Sequence, residues 1–215
     1  MQFITALGIK NSDYFSKNRL LSCHHQLRLI FSLGDQVKNV LEIGIFNSPL
    51  AGFLRSSGYN VSTADIDPSL NPEIILDLTA DFFLPEDEFD VITLFQVLEH
   101  LPYEKSEQAL KKLGIATKKF LAVSIPCCTQ YLAIQVTTSF SGRPRHLLLN
   151  VPKFWSKKPV CDQHYWEMGL KDYPKKRILN SIINAGLTVR QEFTDPAHPY
   201  HYFLLLEKTL ASHDN

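Results

Sequence analysis

The sequence predicts an α/β protein built on a seven-stranded, mostly parallel sheet, with helices on both faces and an antiparallel hairpin at the C-terminal end. Three observations carry this. Residues 39–54, NVLEIGIFNSPLAGFL, join a short aliphatic run to a glycine and then to a helix start. Four more β-branched or aliphatic runs follow before residue 127, interleaved with helical patterns and Gly or Pro stops, the signature of parallel strands with right-handed crossovers. The last two runs, 187–193 and 201–208, are joined only by TDPAHPY, which is too short for a crossover, so they pair antiparallel.

Residues 17–33 place Leu20, Cys23, Leu27, Ile30 and Phe31 at helical spacing with Gly34 as a stop, a helix laid over the sheet or over a ligand. His24 and His25 lie in it as exposed or satisfied helix histidines, and residues 1–38 form an N-terminal helical cap. In the opening strand, Val40, Leu41, Ile43 and Ile45 are apolar throughout, as in a strand buried on both faces. Glu42 is the odd residue, because an unpaired charge inside such a run costs several kcal/mol. Gly44 marks a turn or close approach, and Ser48 with Pro49 starts a helix.

NVSTADID (60–67) reads as the second strand, closed by Asp65 and Asp67; EIILDL (73–78) as the third, ending near Asp77; FDVITLFQVL (89–98) as the fourth; and KKFLAVSIP (118–126) as the fifth. Residues 103–117 pattern as a helix, with Leu110 and Leu113 inward and Glu107 four residues before Lys111. Residues 127–172 break the rhythm with aromatics, prolines and cations (RPRH, KFWSKKP, DQHYWEMG), as a functional segment does. Helical spacing returns over 174–185, with Ile178, Leu179, Ile182 and Ile183 inward.

Composition narrows the function. With 215 residues, 45% of them hydrophobic, the chain suits one domain with a full core. Lys plus Arg equals Asp plus Glu at 22 each, so no global basic field points to nucleic acid. No apolar run approaches the roughly 18 residues that span a bilayer, and the N-terminus lacks the basic start of a secretion signal. Cys23, Cys127, Cys128 and Cys161 have neither zinc nor disulfide spacing, so the default is a reduced, cytoplasmic protein without a membrane partner. Around Gly44, the second and third glycines of G-x-G-x-x-G are missing and Phe46 blocks a phosphate, which counts against NAD or FAD.

The order of features points elsewhere. Glu42-x-Gly44 at strand one, an acid ending strand two, Asp77 after strand three, FDVI…VLEHLP through strand four and a terminal hairpin resemble the class I S-adenosylmethionine-dependent methyltransferases. The likeness covers residues 38–126 by motif and the final helix and hairpin by topology. The phrase over 89–102 most resembles the small-molecule and quinone-type branch. The resemblance implies a Rossmann-like fold, S-adenosylmethionine as cofactor, and O- or N-methylation of a small-molecule acceptor. It places Asp65 on the ribose hydroxyls, Asp77 or Asp81 on the adenine amine, and Glu42, Gly44, Phe95 and Gln96 at the aminoacid end. Phe46 and Ser48 depart from the family pattern: either the loop reshapes around them and binds, or the cofactor site is damaged. The branch's Glu-x-x-Glu-His cation motif reads Gln96-x-x-Glu99-His100 here, so no metal is expected; Glu99 becomes a helix-start acid and His100 a candidate base.

Topology supplies the acceptor side. Ligands of an open parallel sheet sit outside the carboxyl ends of its strands. Segment 127–172 and the 195–200 link both leave over that edge, so His164, Trp166, Glu167, His198 and His201 can converge there. A near-neutral proton acceptor suits O- or N-methylation; His164 is the first candidate, with His100 and His201 beside it. Segment 127–172 is expected to close the acceptor pocket, ahead of a C-terminal helix and hairpin over 173–208. Arg143, Arg145 and Lys153, Lys157 and Lys158 meet an anionic acceptor or are solvated. Two other readings stay open: methylation of RNA or protein through basic residues 143–158, and a catalytically silent methyltransferase-like binding module.

Overall fold

The computed structural model describes residues 16–46, 48–140, 142 and 144–209; Arg143 lies outside them. The helices are α1 (Lys17–Phe31), α2 (Leu50–Ser56), α3 (Tyr103–Ala116) and α4 (Lys175–Asn184). The strands are β1 (Asn39–Ile43), β2 (Asn60–Asp65), β3 (Ile74–Ile75), β4 (Phe89–Phe95), β5 (Thr117–Pro126), β6 (Thr129–Val136), β7 (Arg145–Pro152), β8 (Leu187–Asp195) and β9 (His198–Lys208).

Seven strands form one sheet in the order β3-β2-β1-β4-β5-β9-β8. The first five run parallel, and β9 lies antiparallel between β5 and β8. Successive strand residues point to opposite faces, so neighbours in sequence enter different cores. Val40, Val91, Phe120 and Phe203 meet Leu29 and Ile30 of α1 and Leu50 and Leu54 of α2. On the other face Leu41, Ile92, Leu121 and Leu204 meet Leu110 and Leu113 of α3 and Ile178 and Ile182 of α4. The direction of connection reverses between β1 and β4, which opens a crevice at their carboxyl ends.

Three expectations are corrected. The third strand shrinks to two residues because Glu73 turns its carboxylate onto the Thr63 amide and hydroxyl, and Asp77 takes the Thr79 amide at 2.8 Å in a turn. The second strand stops at Asp65, since Asp67 caps the short turn Pro68–Leu70 by accepting from the Ser69 amide. The stretch 127–172 is not irregular throughout. Its first part is a two-stranded antiparallel ribbon, β6 on β7, that stands apart from the main sheet.

The second part is tied down firmly. Cys127 bridges Met168 in parallel fashion, the Met168 amide donates to Pro126 O at 3.0 Å, and the Tyr165 amide donates to Glu99 O at 2.8 Å. Gly169 sits at φ +94° with Cys128 O so close that an added Cβ would lie 2.6 Å from it. Trp166 is 2% exposed, stands edge-on to Tyr103 at 5.1 Å, and donates its indole N–H to Ser106 Oγ at 3.2 Å. Trp166→Ala therefore removes the main apolar anchor of this segment. Urea unfolding is expected to show a loss of about 3–5 kcal/mol; a loss below about 1 kcal/mol, within the range of surface substitutions, would show that the segment is not held through the core.

Candidate active site

At the carboxyl end of β1, Gly44 has φ +84°, donates its amide to Ala64 O at 2.9 Å, and would bring a Cβ within 2.4 Å of Val97 Cγ2. No other residue fits both demands. Glu42 is buried beside it, with Oε2 lacking a partner. Burial pushes its carboxyl up to about 7, against the pull of the Ser48 hydroxyl, the Ala51 amide and Arg55. Glu42 thus lies under the loop, linking β1 to α2, and Ser48 also accepts from the Leu50 amide at 3.2 Å. Phe46 is exposed, so the aromatic that departs from the family pattern is not packed into the core.

Asp65 closes β2 with both oxygens engaged: Oδ2 accepts from the Ile45 amide at 2.8 Å and Oδ1 from the Asp67 amide at 3.0 Å. Those bonds fix the carboxylate plane and leave further lone pairs free, since an ionised carboxylate accepts about four bonds. Ile66 follows it with its side chain exposed. Asp77 spends Oδ1 on the Thr79 amide and hydroxyl. Asp81 turns away to Lys112 on α3, which holds its carboxyl below the usual range.

After β4, Phe95 is half-buried against the α1–α2 core. Gln96 adopts φ +60°, a left-handed conformation that costs a non-glycine residue about 1–3 kcal/mol and recurs at functional sites. Its amide donates to Ser124 O at 3.0 Å. With the side-chain nitrogen turned toward Glu99 Oε1 at 3.2 Å, its oxygen accepts from the Ile125 amide at 3.3 Å and the Ser124 hydroxyl at 3.2 Å. Glu99 is fully buried, and Oε2 has no partner. Burial, reinforced by the charge of Glu167, pushes its carboxyl up to about 8.

Glu167 is the opposite case. It too is fully buried with Oε2 unpartnered, yet its Oε1 accepts from the Val160 amide at 3.0 Å, the Cys161 amide at 3.2 Å, His164 Nδ1 at 2.8 Å and the Tyr200 hydroxyl at 3.0 Å. Burial would raise its pKa, but these donors outweigh it and hold the carboxyl below its ordinary value. Two neighbouring buried carboxyls are thereby driven apart, one neutral and one ionised. Since an ionised carboxylate can only accept, His164 donates to Glu167 through Nδ1, and Nε2 is the ring nitrogen left for other contacts.

Of the proposed bases, His164 and His100 come together, with ring centroids 4.8 Å apart. Burial lowers the His100 pKa, His164 adds to the effect, and a backbone bond to Gln163 opposes it. His201, on β9, meets the Ser22 hydroxyl of α1 through Nδ1 at 2.9 Å; burial first, then the proximity of His198, Arg19 and His164, pushes it down to about 3, leaving it neutral and weakly basic. His25 is no surface histidine: it bonds Asp195 at 2.5 Å and packs on Phe193 and Phe203, whereas His24 is exposed. Lys157 and Lys158 lie on the surface with Asp172 and Asp162. Donor atoms of Glu99, His100 and His164 fall within 4.8 Å of one another, so an ion could be held where the sequence gives no reason to expect one.

The paired carboxyls have a pH signature. A carboxyl whose folded pKa stands above its unfolded value contributes stability that is complete below the unfolded value, near 4.5, and is lost as pH rises through about 8. Glu99→Gln removes this dependence. In thermal melts the variant is expected to match the parent near the acid end of that window and to exceed it above the upper end. A constant difference across the window would show that Glu99 ionises freely.

No family model matches the sequence, and no curated protein matches it. The fold, however, is shared with solved structures. The N-methyltransferase NodS from Bradyrhizobium japonicum, in complex with S-adenosylhomocysteine, superposes with a TM-score of 0.59 at 14% identity, over 90% of this chain and 89% of that one. Magnesium protoporphyrin IX methyltransferase from Synechocystis, with bound S-adenosylhomocysteine, gives 0.59 at 11% identity over 89% and 84%. The 1,6-didemethyltoxoflavin-N1-methyltransferase from Burkholderia thailandensis gives 0.57 at 10% identity over 88% and 79%. The chain has the Rossmann-like fold of class I S-adenosylmethionine-dependent methyltransferases.

Proposed function

We propose that this chain is an enzyme that transfers a methyl group from S-adenosylmethionine to a small-molecule acceptor. The observation that carries the reading is the meeting of His164, bonded to an ionised Glu167, with the loop that follows β4, at the carboxyl edge of the sheet. The fold shared with methyltransferases supports the cofactor assignment.

The residues divide the work. Asp65, held flat by two backbone amides, offers its remaining lone pairs to the two ribose hydroxyls as charge-assisted bonds. Ile66 offers an exposed aliphatic surface beside it for an aromatic base, and Asp77 keeps one oxygen for the exocyclic amine. Gly44 keeps the β1 turn tight against Val97, and Glu42 holds that loop from below. The backbone of Phe95 and Gln96 borders the crevice on the β4 side. The bound cofactor supplies an electrophilic methyl group on a sulfonium. On the acceptor side Nε2 of His164 takes the proton of the attacking hydroxyl or amine, and Glu167 stabilises the imidazolium that forms. His100 and neutral His201 shape the pocket around that atom. Neutral Glu99 beside Glu167 keeps the site from carrying two adjacent buried negative charges.

Calorimetry with S-adenosylhomocysteine tests the cofactor half. Binding by the parent is expected, and Asp65→Ala weakens it by about 1.5–3 kcal/mol, the range for a hydrogen bond to a charged group. Absence of binding by the intact protein would favour the silent module; an unchanged Kd in the variant would remove Asp65 from the ribose. On the acceptor half, His164→Ala is expected to lower kcat by about 10²- to 10⁴-fold with cofactor affinity nearly constant, and EDTA is expected to leave turnover intact. Activity lost to EDTA and restored by a divalent cation would instead assign Glu99, His100 and His164 to an ion.

A further inference from the structure

The β6–β7 ribbon presents an unpartnered face with an unusual composition. Its register sets Leu132 opposite Leu149, Ile134 opposite Leu147 and Gln130 opposite Val151, with Val136 opposite Arg145. These pairs share one side, so Leu132, Ile134, Val136, Leu147, Leu149 and Val151 form a continuous aliphatic surface, each between 46% and 57% exposed. The other side carries the only ribbon residues that are half-buried, Thr129 and Leu148. Six aligned aliphatic side chains in water exceed what a monomeric surface normally leaves open.

Charge indicates what covers this face. Residues 127–161 contain five lysines and arginines and no Asp or Glu, in a protein whose formal net charge is zero. Lys157 and Lys158 are offset by Asp172 and Asp162, which leaves Arg145 and Lys153, among the described residues, as the cations beside the ribbon. Arg145 lies on the aliphatic side itself. Beyond β6, Phe140 is 98% exposed, and Phe154 and Trp155 stand exposed just past β7. An aliphatic surface with cations at its rim and aromatics at its ends matches the three layers of an anionic bilayer surface: acyl chains, interface and phosphate. A second copy of the ribbon would set cation against cation. Nucleic acid would leave the aliphatic face wet.

We infer that the β6–β7 ribbon docks this protein onto anionic lipid membranes, lying on the surface without spanning it. Among the described residues no helix is long and apolar enough to cross a membrane. Because the ribbon leaves β5 at the carboxyl edge of the sheet, docking brings the candidate active site to the lipid surface. The inference rests on the ribbon alone and stands whether or not the site transfers methyl groups.

Co-sedimentation of the purified full chain with vesicles tests it. The protein is expected to pellet with mixed phosphatidylglycerol–phosphatidylcholine vesicles at low salt, to stay in solution with pure phosphatidylcholine, and to be released as salt rises and screens the rim. Ile134→Asp with Leu149→Asp is expected to abolish pelleting while the thermal melt of the core is retained. Arg145→Gln with Lys153→Gln, which leaves the aliphatic face intact, is expected to weaken partitioning roughly 30-fold, from about 1 kcal/mol per cation. No pelleting with anionic vesicles, equal pelleting with neutral ones, or a double-Asp variant that binds like the parent would overturn it. So would a dimer in equilibrium sedimentation that the double-Asp variant converts to monomer.

Discussion

A carboxylate buried without a partner is among the most costly features a fold can contain, and losing the partners of one costs about 3–5 kcal/mol. Glu167 is fully buried, and a single oxygen collects two backbone amides, an imidazole and a phenol. Those donors come from the start and middle of the 160–167 loop and from β9. The charge therefore acts as a clip that closes the loop on itself and fixes it to the sheet. The same charge adds to the burial that keeps neighbouring Glu99 neutral, and it takes the Nδ1 hydrogen bond of His164. Loop structure, strand docking and the division between acid and base all depend on one ionised group.

Helix α1 reinforces this edge from the other side. Ser22 meets His201, and His25 meets Asp195, so two histidine contacts join α1 to the β8–β9 turn. Cys23 lies close enough to Glu42 for that charge to add to burial in raising the thiol. Helix α1 thus lies near Glu42 at one point and holds the β8–β9 turn at two others. In the loop after β1, Phe46 stands exposed and Glu42 accepts from Ser48 and Ala51 beneath it.

Much of the fold was legible because its causes are local. Val40–Leu41 and Val91–Ile92 send successive side chains to two cores, and a link as short as 194–200 permits only a hairpin. The acid ending β2 was readable for the same reason. Glu42 announced itself as an anomaly, but not that it lies under the loop, since its partners Ser48 and Ala51 become neighbours only after the chain turns. The ribbon escaped notice although Leu132, Ile134 and Val136 alternate. Strands exposed on one side and barely covered on the other look, among prolines and cations, like a solvated loop. Glu167 stood in plain view beside His164, yet the hydroxyl that joins the donors on its Oε1, Tyr200, is 33 positions away. That Asp81 pairs with Lys112, a helix away, was likewise invisible in sequence.

The crystal structure of the chain with S-adenosylhomocysteine is the most direct measurement of how this edge works. The ribose hydroxyls are expected on the Asp65 carboxylate, the adenine against Ile66, and the sulfur facing Nε2 of His164, with Glu167 still closed by its four donors. An adenosyl group bound away from Asp65, or a sulfur turned to the far side of Gln96 from His164, would contradict the division of the site into cofactor and acceptor halves.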